Sequence, residues 1–208
     1  MRNSLVVLVL FIAGLFLGRT HLVGEEWLNG DIITLILYVL ICQIGISIGS
    51  HKDLKAVFTG LRPGVLLLPL FTVFGTLSFT LLGGLLLSQW TPWDYLAVGS
   101  GFGYYSLSSV LIAESKESSL GLQLATELGT LALLTNIMRE LIALLGIPFF
   151  VRYFGKFAAV SAAGITSMDA TLPLLSRYAG KDVVPLAILH GVVLEISVPF
   201  LVSFFCSI

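Results

Sequence analysis

Apolar segments long enough to cross a lipid bilayer recur along the chain. A spanning helix needs about 20 mostly apolar residues, because the hydrocarbon core of a bilayer is about 30 Å thick. Four segments meet or nearly meet that length: 4–18, 31–49, 64–88 and 183–206. Only 11% of the 208 residues are charged, against about 25% in a soluble domain. The chain is therefore predicted to be an integral membrane protein, which excludes a soluble fold, a disordered tail and a nucleic-acid binder with a basic face.

Three further apolar segments are interrupted. Residues 120–150 read as a long helix that carries several polar and charged side chains. Residues 93–113 contain the run GSGFGYYSLSS at 99–109, and residues 157–176 contain GITSMDATLP at 164–173. Non-helical backbone at membrane depth is tolerated only where it is buried in protein or lines a wet cavity, so both breaks point to a binding site. The alternative is an extramembrane loop at 99–109 and a proline kink at 164–173.

The fold predicted from these segments is all-α and forms a single transmembrane transporter domain over 1–208. About five helices span the bilayer, and 93–113 and 157–176 form two broken or re-entrant helices in an inverted arrangement. Eight of the 11 Lys and Arg residues then share one face, two lie on the other, and Arg139 is inside the membrane. Seven spans are the alternative, with a split of seven against three. The positive-inside rule favours the first arrangement, with a cytoplasmic N-terminus and an external C-terminus.

Ionisable residues at membrane depth are the first candidates for function, because each costs at least about 2.5–3.5 kcal/mol to insert. They are Glu127, Arg139, Glu140, Asp169, His190 and Glu195. Arg139 and Glu140 project about 100° apart on a helix, so we expect Arg139 to pair with Asp169 instead. Glu140 and Asp169 are expected to bind a cation and to exchange protons in a partly dry site. The alternative is an Arg139 bridge that only assembles the bundle.

Polar residues near these charges complete the predicted site. Asn136 precedes Glu140 by one turn and shares its helix face. Hydroxyl groups that could replace the hydration shell of a ligand occur in both breaks: Tyr104, Ser106, Ser108, Ser167 and Thr171. The alternative for Tyr104, Ser106 and Ser108 is that they satisfy the unwound backbone itself, and both roles can hold together. For Glu195 a cavity role and a structural hydrogen bond are both open, and Glu127 either joins the site or faces the headgroups. His190 has no Cys or second His nearby, so neither a metal site nor another cofactor is expected, apart from a coupling proton.

Four stretches also carry a family resemblance, namely SGFGYYSLS at 100–108, RELIA at 139–143, GITSMDATLP at 164–173 and VPLAILHG at 184–191. In this order and spacing they resemble the lysine exporter LysO family of bacterial inner-membrane proteins. The resemblance implies export of L-lysine from the cytoplasm in exchange for protons. It also implies that an intramembrane acidic pair, carried over to Glu140 and Asp169, matters for transport.

The resemblance covers only the C-terminal portion of the full-length family architecture, which has further N-terminal helices. We therefore expect a separate small membrane subunit, or a second copy of the chain, as a partner within the bilayer. Tyr104 occupies a position where the family form has Trp, which bears on the size of the pocket.

Two other function classes compete with transport. An intramembrane hydrolase could pair Ser106 or Ser108 with His190, or use Glu140 and Asp169 as a dyad. The chain lacks a Gly-x-Ser-x-Gly elbow and a Gly-x-Gly-Asp element, so no enzymatic activity is expected. A channel would show a repeated pore ring, which the sequence does not contain.

Overall fold

A computed structural model describes residues 67–87 and 89–208, together with isolated positions in the first 66 residues. The predicted spans 4–18 and 31–49 therefore lie outside the described residues. The described part is helical and has no strand, in agreement with the predicted all-α class. Its α-helices are α1 (Leu67–Leu86), α2 (Pro92–Gly99), α3 (Tyr105–Leu120), α4 (Leu122–Phe154), α5 (Lys156–Ala163), α6 (Leu172–Ala179) and α7 (Val184–Cys206). Two 3-10 helices, Gly164–Met168 and Lys181–Val183, flank α6.

Three of these helices are long and apolar enough to cross a membrane. They are α1 with 20 residues, α4 with 33, and α7 together with the 3-10 helix before it, Lys181–Cys206, with 26. They correspond to the predicted segments 64–88, 120–150 and 183–206. The outer face of α1 carries large exposed apolar side chains such as Phe71, Phe74 and Phe79, which suits a surface surrounded by lipid rather than by water.

The segment 93–113 folds back on itself. A capping box starts α2, in which the Thr91 hydroxyl accepts from the Asp94 amide and the Asp94 carboxylate accepts from the Thr91 amide. Lys116, near the end of α3, forms a salt bridge of 3.0 Å with Asp94. In one continuous helix these two residues would be about 33 Å apart. The chain therefore enters through α2 and returns through α3, and we call 92–120 the first hairpin.

The segment 157–176 doubles back in the same way. The helix α5 begins at Lys156. The ammonium group of Lys156 forms a salt bridge with Asp182, which lies just beyond the end of α6. A continuous helix would separate these residues by about 39 Å. We call 156–182 the second hairpin. Within the described residues, both doubled-back segments favour the re-entrant arrangement over two additional spans.

The two hairpins enter the bundle from opposite ends. The helix α4 starts directly after the first hairpin, at Gly121, and ends directly before the second, at Gly155. A straight helix of 33 residues would be about 50 Å long, so the two hairpin mouths lie at opposite ends of α4. Because the hairpins point towards each other, the predicted inverted arrangement is present, and their tips meet inside the bundle.

Candidate functional site

The hairpin tips consist of unwound backbone that packs tip to tip. The amide of Ile165 donates to the carbonyl of Phe102 across 3.0 Å. Phe102 (φ 44°), Gly103 (φ 103°) and Gly164 (φ 62°) all lie in the left-handed region. A Cβ atom at Gly164 would lie 2.3 Å from the Phe102 oxygen, so this contact requires glycine. Two breaks in the sequence thus become one junction in the structure.

Asn136 of α4 holds the first tip in place. Its side-chain oxygen accepts from the Gly103 amide at 2.7 Å, and its side-chain nitrogen donates to the Ala132 carbonyl at 2.9 Å and the Ser108 hydroxyl at 3.4 Å. Ser108 in turn donates to the Tyr104 carbonyl. Asn136 and Ser108, both predicted as site residues, therefore satisfy the unwound backbone and do not line the cavity.

The second tip is held mainly by its own residues. The Thr166 carbonyl accepts from the amides of Asp169 and Thr171 and from the Thr171 hydroxyl, at 2.9–3.2 Å. Gly191 lets α7 approach closely, because a Cβ atom there would lie 2.8 Å from the Ile165 carbonyl oxygen. Thr171, another predicted site residue, is thus fully buried and shapes the tip.

A cavity of about 360 Å³ lies beside the junction of the tips. Three carboxylates from three different elements line it: Glu140 from α4, Asp169 from the second tip and Glu195 from α7. No group of three His, Cys, Asp or Glu side chains in the described residues is close enough to hold a metal ion. The three acids therefore surround the space and do not meet at one point.

The three acids differ in exposure. Glu140 and Glu195 are each only 4% exposed, whereas Asp169 is exposed. The Asp169 carboxylate accepts from the Ala170 amide and lies close enough to Glu195 and Tyr104 to act on both electrostatically. The Oε2 atom of Glu195 is buried and has no hydrogen-bond partner among the described residues. A buried carboxylate oxygen without a donor is costly unless a ligand or a proton satisfies it.

Hydroxyl-bearing side chains complete the cavity wall. Tyr104 and Ser106, both predicted from the sequence, lie at the start of α3 and line the cavity. Tyr105 and Thr166 also line it and were missed by the sequence analysis. Both stand inside the interrupted runs, so the break itself was the signal that could have identified them.

Arg139 faces away from this cavity. Its guanidinium donates to the Thr76 hydroxyl at 3.3 Å and to the Ser161 carbonyl at 3.0 Å, which ties α4 to α1 and α5. It lines two other grooves, neither of which is lined by Glu140. The structure thus gives Arg139 partners other than Asp169, which sequence reasoning had assigned to it.

His190 is fully buried in a chain of hydroxyl groups. Its Nε2 atom lies 2.9 Å from the Thr72 hydroxyl, and its Nδ1 atom lies 3.3 Å from the Ser167 hydroxyl. Ser167 also donates to the Ala187 carbonyl. The His190 ring nitrogens therefore contact neither Ser106 nor Ser108, the nucleophiles that a serine–histidine hydrolase would need.

Comparison with known proteins identifies the family. The family model described as "Lysine exporter LysO" matches residues 8–206. This chain belongs to the lysine exporter LysO family. The resemblance carried by the four stretches is thus confirmed, and both hairpins fall within the part that the LysO model covers.

Two curated relatives match the chain to different extents. "Lysine exporter LysO" of Escherichia coli (strain K12) is 44% identical over 112 residues, which are 54% of this chain and 34% of that protein. "Putative lysine exporter" of Haemophilus influenzae is 30% identical over 190 residues, which are 88% of this chain and 89% of that protein. The match thus spans about a third of the first relative and most of the second. No solved structure gave a significant match.

Proposed function

We propose that this protein exports L-lysine from the cytoplasm across the bacterial inner membrane. Substrate binds in the cavity beside the junction of the hairpin tips. The observation that carries the proposal is the convergence of Glu140, Asp169 and Glu195 on one cavity, in a chain of the lysine exporter LysO family. A substrate with a cationic side chain matches a wall that contains three acids and, among its described residues, no Lys or Arg.

The same charge balance supports exchange with protons. Glu140 and Glu195 are buried and Asp169 is exposed, and like charges around one cavity repel one another, which favours the binding of cations or protons there. Lysine and protons then compete for Glu140 and Asp169. Binding of lysine from one side releases protons, and protons arriving from the other side displace lysine, which describes an antiporter.

The inverted hairpins supply a route to the site from both sides. Each hairpin reaches from one end of the bundle to the central cavity, so a shift of either one opens the cavity towards its own end. We place the N-terminus in the cytoplasm and the C-terminus in the periplasm. A separate small membrane subunit, or a second copy of the chain, completes the transporter.

Lysine export tests the proposal directly. An exporter-deficient bacterium fed a lysine-containing dipeptide should release lysine into the medium when it expresses this chain, alone or with a neighbouring small membrane protein. Release by the chain alone favours self-assembly, whereas release only with the second protein establishes a two-part transporter. No release in either case, with membrane insertion verified, would remove lysine as the substrate.

The acidic residues are tested in the same assay. Glu140→Gln and Asp169→Asn should each abolish release, because each removes a charge that binds lysine or protons. Glu127→Gln is the matched control, since Glu127 lies on α4 like Glu140 but is exposed and outside the cavity. Normal release from either of the first two variants would contradict the acidic-pair mechanism.

A further inference from the structure

The substrate proposed above carries an α-carboxylate as well as two ammonium groups, one on the α-carbon and one at the end of the side chain. An amino acid keeps its α-carboxylate ionised at neutral pH, and a buried carboxylate needs a positive partner or several hydrogen-bond donors. The described cavity wall contains three acids and no basic side chain. The donors for the substrate carboxylate must therefore come from elsewhere on the wall.

The N-terminus of α3 supplies such donors. This helix of 16 residues has Tyr104 as its N-cap, and no side chain caps it. The amides of Tyr105, Ser106 and Leu107 have no acceptor in the part of the chain that the structure describes. Tyr104, Tyr105 and Ser106 all line the cavity. Uncapped first-turn amides and the positive end of the helix dipole together form an anion site.

In two other hairpin helices, α2 and α6, first-turn amides are satisfied within the protein or absent. Thr91 and Asp94 cap α2 reciprocally. At the start of α6, the Leu172 amide donates to the Asp169 carbonyl, and Pro173 has no amide hydrogen to satisfy. Of the two helices that start at the hairpin tips, α3 thus keeps its first-turn amides available while α6 does not.

A second observation at the same cavity points independently to a ligand. Glu195 is only 4% exposed and lines the cavity, and its carboxylate has no hydrogen-bond partner among the described residues. The wall therefore presents unsatisfied amide donors at α3 and an unsatisfied carboxylate acceptor at α7. A ligand with a carboxylate at one end and an ammonium group at the other would satisfy both.

We propose that the cavity binds its substrate end to end, with the α-carboxylate on the first-turn amides of α3 and the side-chain ammonium group on Glu195 and the two neighbouring acids. This inference rests on the proposed transport of lysine and adds the requirement for a carboxylate. The site then selects amino acids with a distal amine over simple diamines, which have the two ammonium groups but no carboxylate.

Binding of two ligands to the purified full chain in detergent tests the requirement. Titration calorimetry should show that L-lysine binds about tenfold or more tightly than 1,5-diaminopentane, because the diamine lacks the charged group that the amides would hold. Equal affinities would overturn the inference while leaving lysine transport standing. Failure of lysine to bind at all would overturn the proposed function together with the inference.

A matched pair of variants locates the carboxylate subsite. Ser106→Pro removes one first-turn amide, whereas Ser106→Ala removes only the hydroxyl. Proline is tolerated in the first turn of a helix, and α6 and α7 both carry Pro there. Relative to Ser106→Ala, Ser106→Pro should weaken lysine binding about tenfold and leave diaminopentane binding unchanged. Equal weakening of both ligands, or of neither, would overturn the assignment to α3.

Discussion

The Ile165 amide and the Phe102 carbonyl form a hydrogen bond of 3.0 Å that joins the two hairpin tips. Unwound backbone has no water to bond with inside a membrane, so each tip needs partners from protein. Here each tip satisfies part of the other. The two hairpins are therefore coupled. If one hairpin moves to open the cavity, either the other hairpin moves with it or this hydrogen bond breaks.

Adding a side chain at the contact between the two tips should abolish transport. In Gly164→Ala, the new Cβ atom would lie 2.3 Å from the Phe102 oxygen on a backbone with φ 62°. Since neither backbone can give way cheaply, the tips must separate. We expect loss of lysine release and a lower thermal unfolding midpoint in detergent.

Gly155→Ala is the control that distinguishes the effect of this contact from the effect of backbone strain alone. Gly155 has φ 85° and precedes the same hairpin, but a Cβ atom there would meet nothing within 4 Å. We expect Gly155→Ala to lower the midpoint by the left-handed strain alone and to keep lysine release. If both variants behave alike, contact between the tips is not what matters at Gly164.

Removing the side-chain amide of Asn136, which holds the first tip in place, should lower the stability of the protein. In Asn136→Ala, the buried Gly103 amide loses its acceptor at 2.7 Å, and an unsatisfied buried donor costs about 1–3 kcal/mol. The free energy of unfolding should fall by that amount. Thr135→Ala, one position earlier on the exposed face of α4, is the control. Equal stability of the two variants would show that Gly103 finds another acceptor.

The salt bridges at the two hairpin mouths should contribute unequally to the free energy of unfolding. Lys116 and Asp94 are buried, with side-chain exposures of 9% and 3%. Lys116→Met leaves the Asp94 carboxylate buried without its counter-ion, which costs about 3–5 kcal/mol. Lys156→Met breaks an exposed pair and should change stability far less, because water screens such pairs. Equal losses in chemical denaturation would contradict this ranking.

The opposed hairpins also predict which residues reach each side of the membrane. Ser118 is exposed near the mouth of the first hairpin, and Lys181 is exposed at the mouth of the second. In a variant lacking Cys42 and Cys206, Ser118→Cys should react with an impermeant maleimide from outside, and Lys181→Cys only from inside. The neighbouring Lys116 is buried in its ion pair and would be a poor probe. Labelling of both cysteines from one side would contradict the inverted hairpins.

The sequence by itself determined the class of protein and the position of its breaks. Long apolar segments are stable in a lipid bilayer, and runs rich in Gly, Ser and Thr inside them indicate where a helix is interrupted. The cost of inserting a charge into the membrane also marks Glu140, Asp169 and Glu195 as candidates from their positions in the sequence alone. These inferences depend only on composition and on the spacing of nearby residues, both of which can be read from the sequence.

The tertiary structure decided which of those residues share a site. Helical periodicity fixes that Arg139 and Glu140 point in different directions, but not which neighbours each direction meets. In the fold, Glu140 faces the cavity, while Arg139 turns to Thr76 and Ser161. The pairing of Lys116 with Asp94 and the bond from Ile165 to Phe102 were equally invisible, because each joins residues that only the packing of the hairpins brings together.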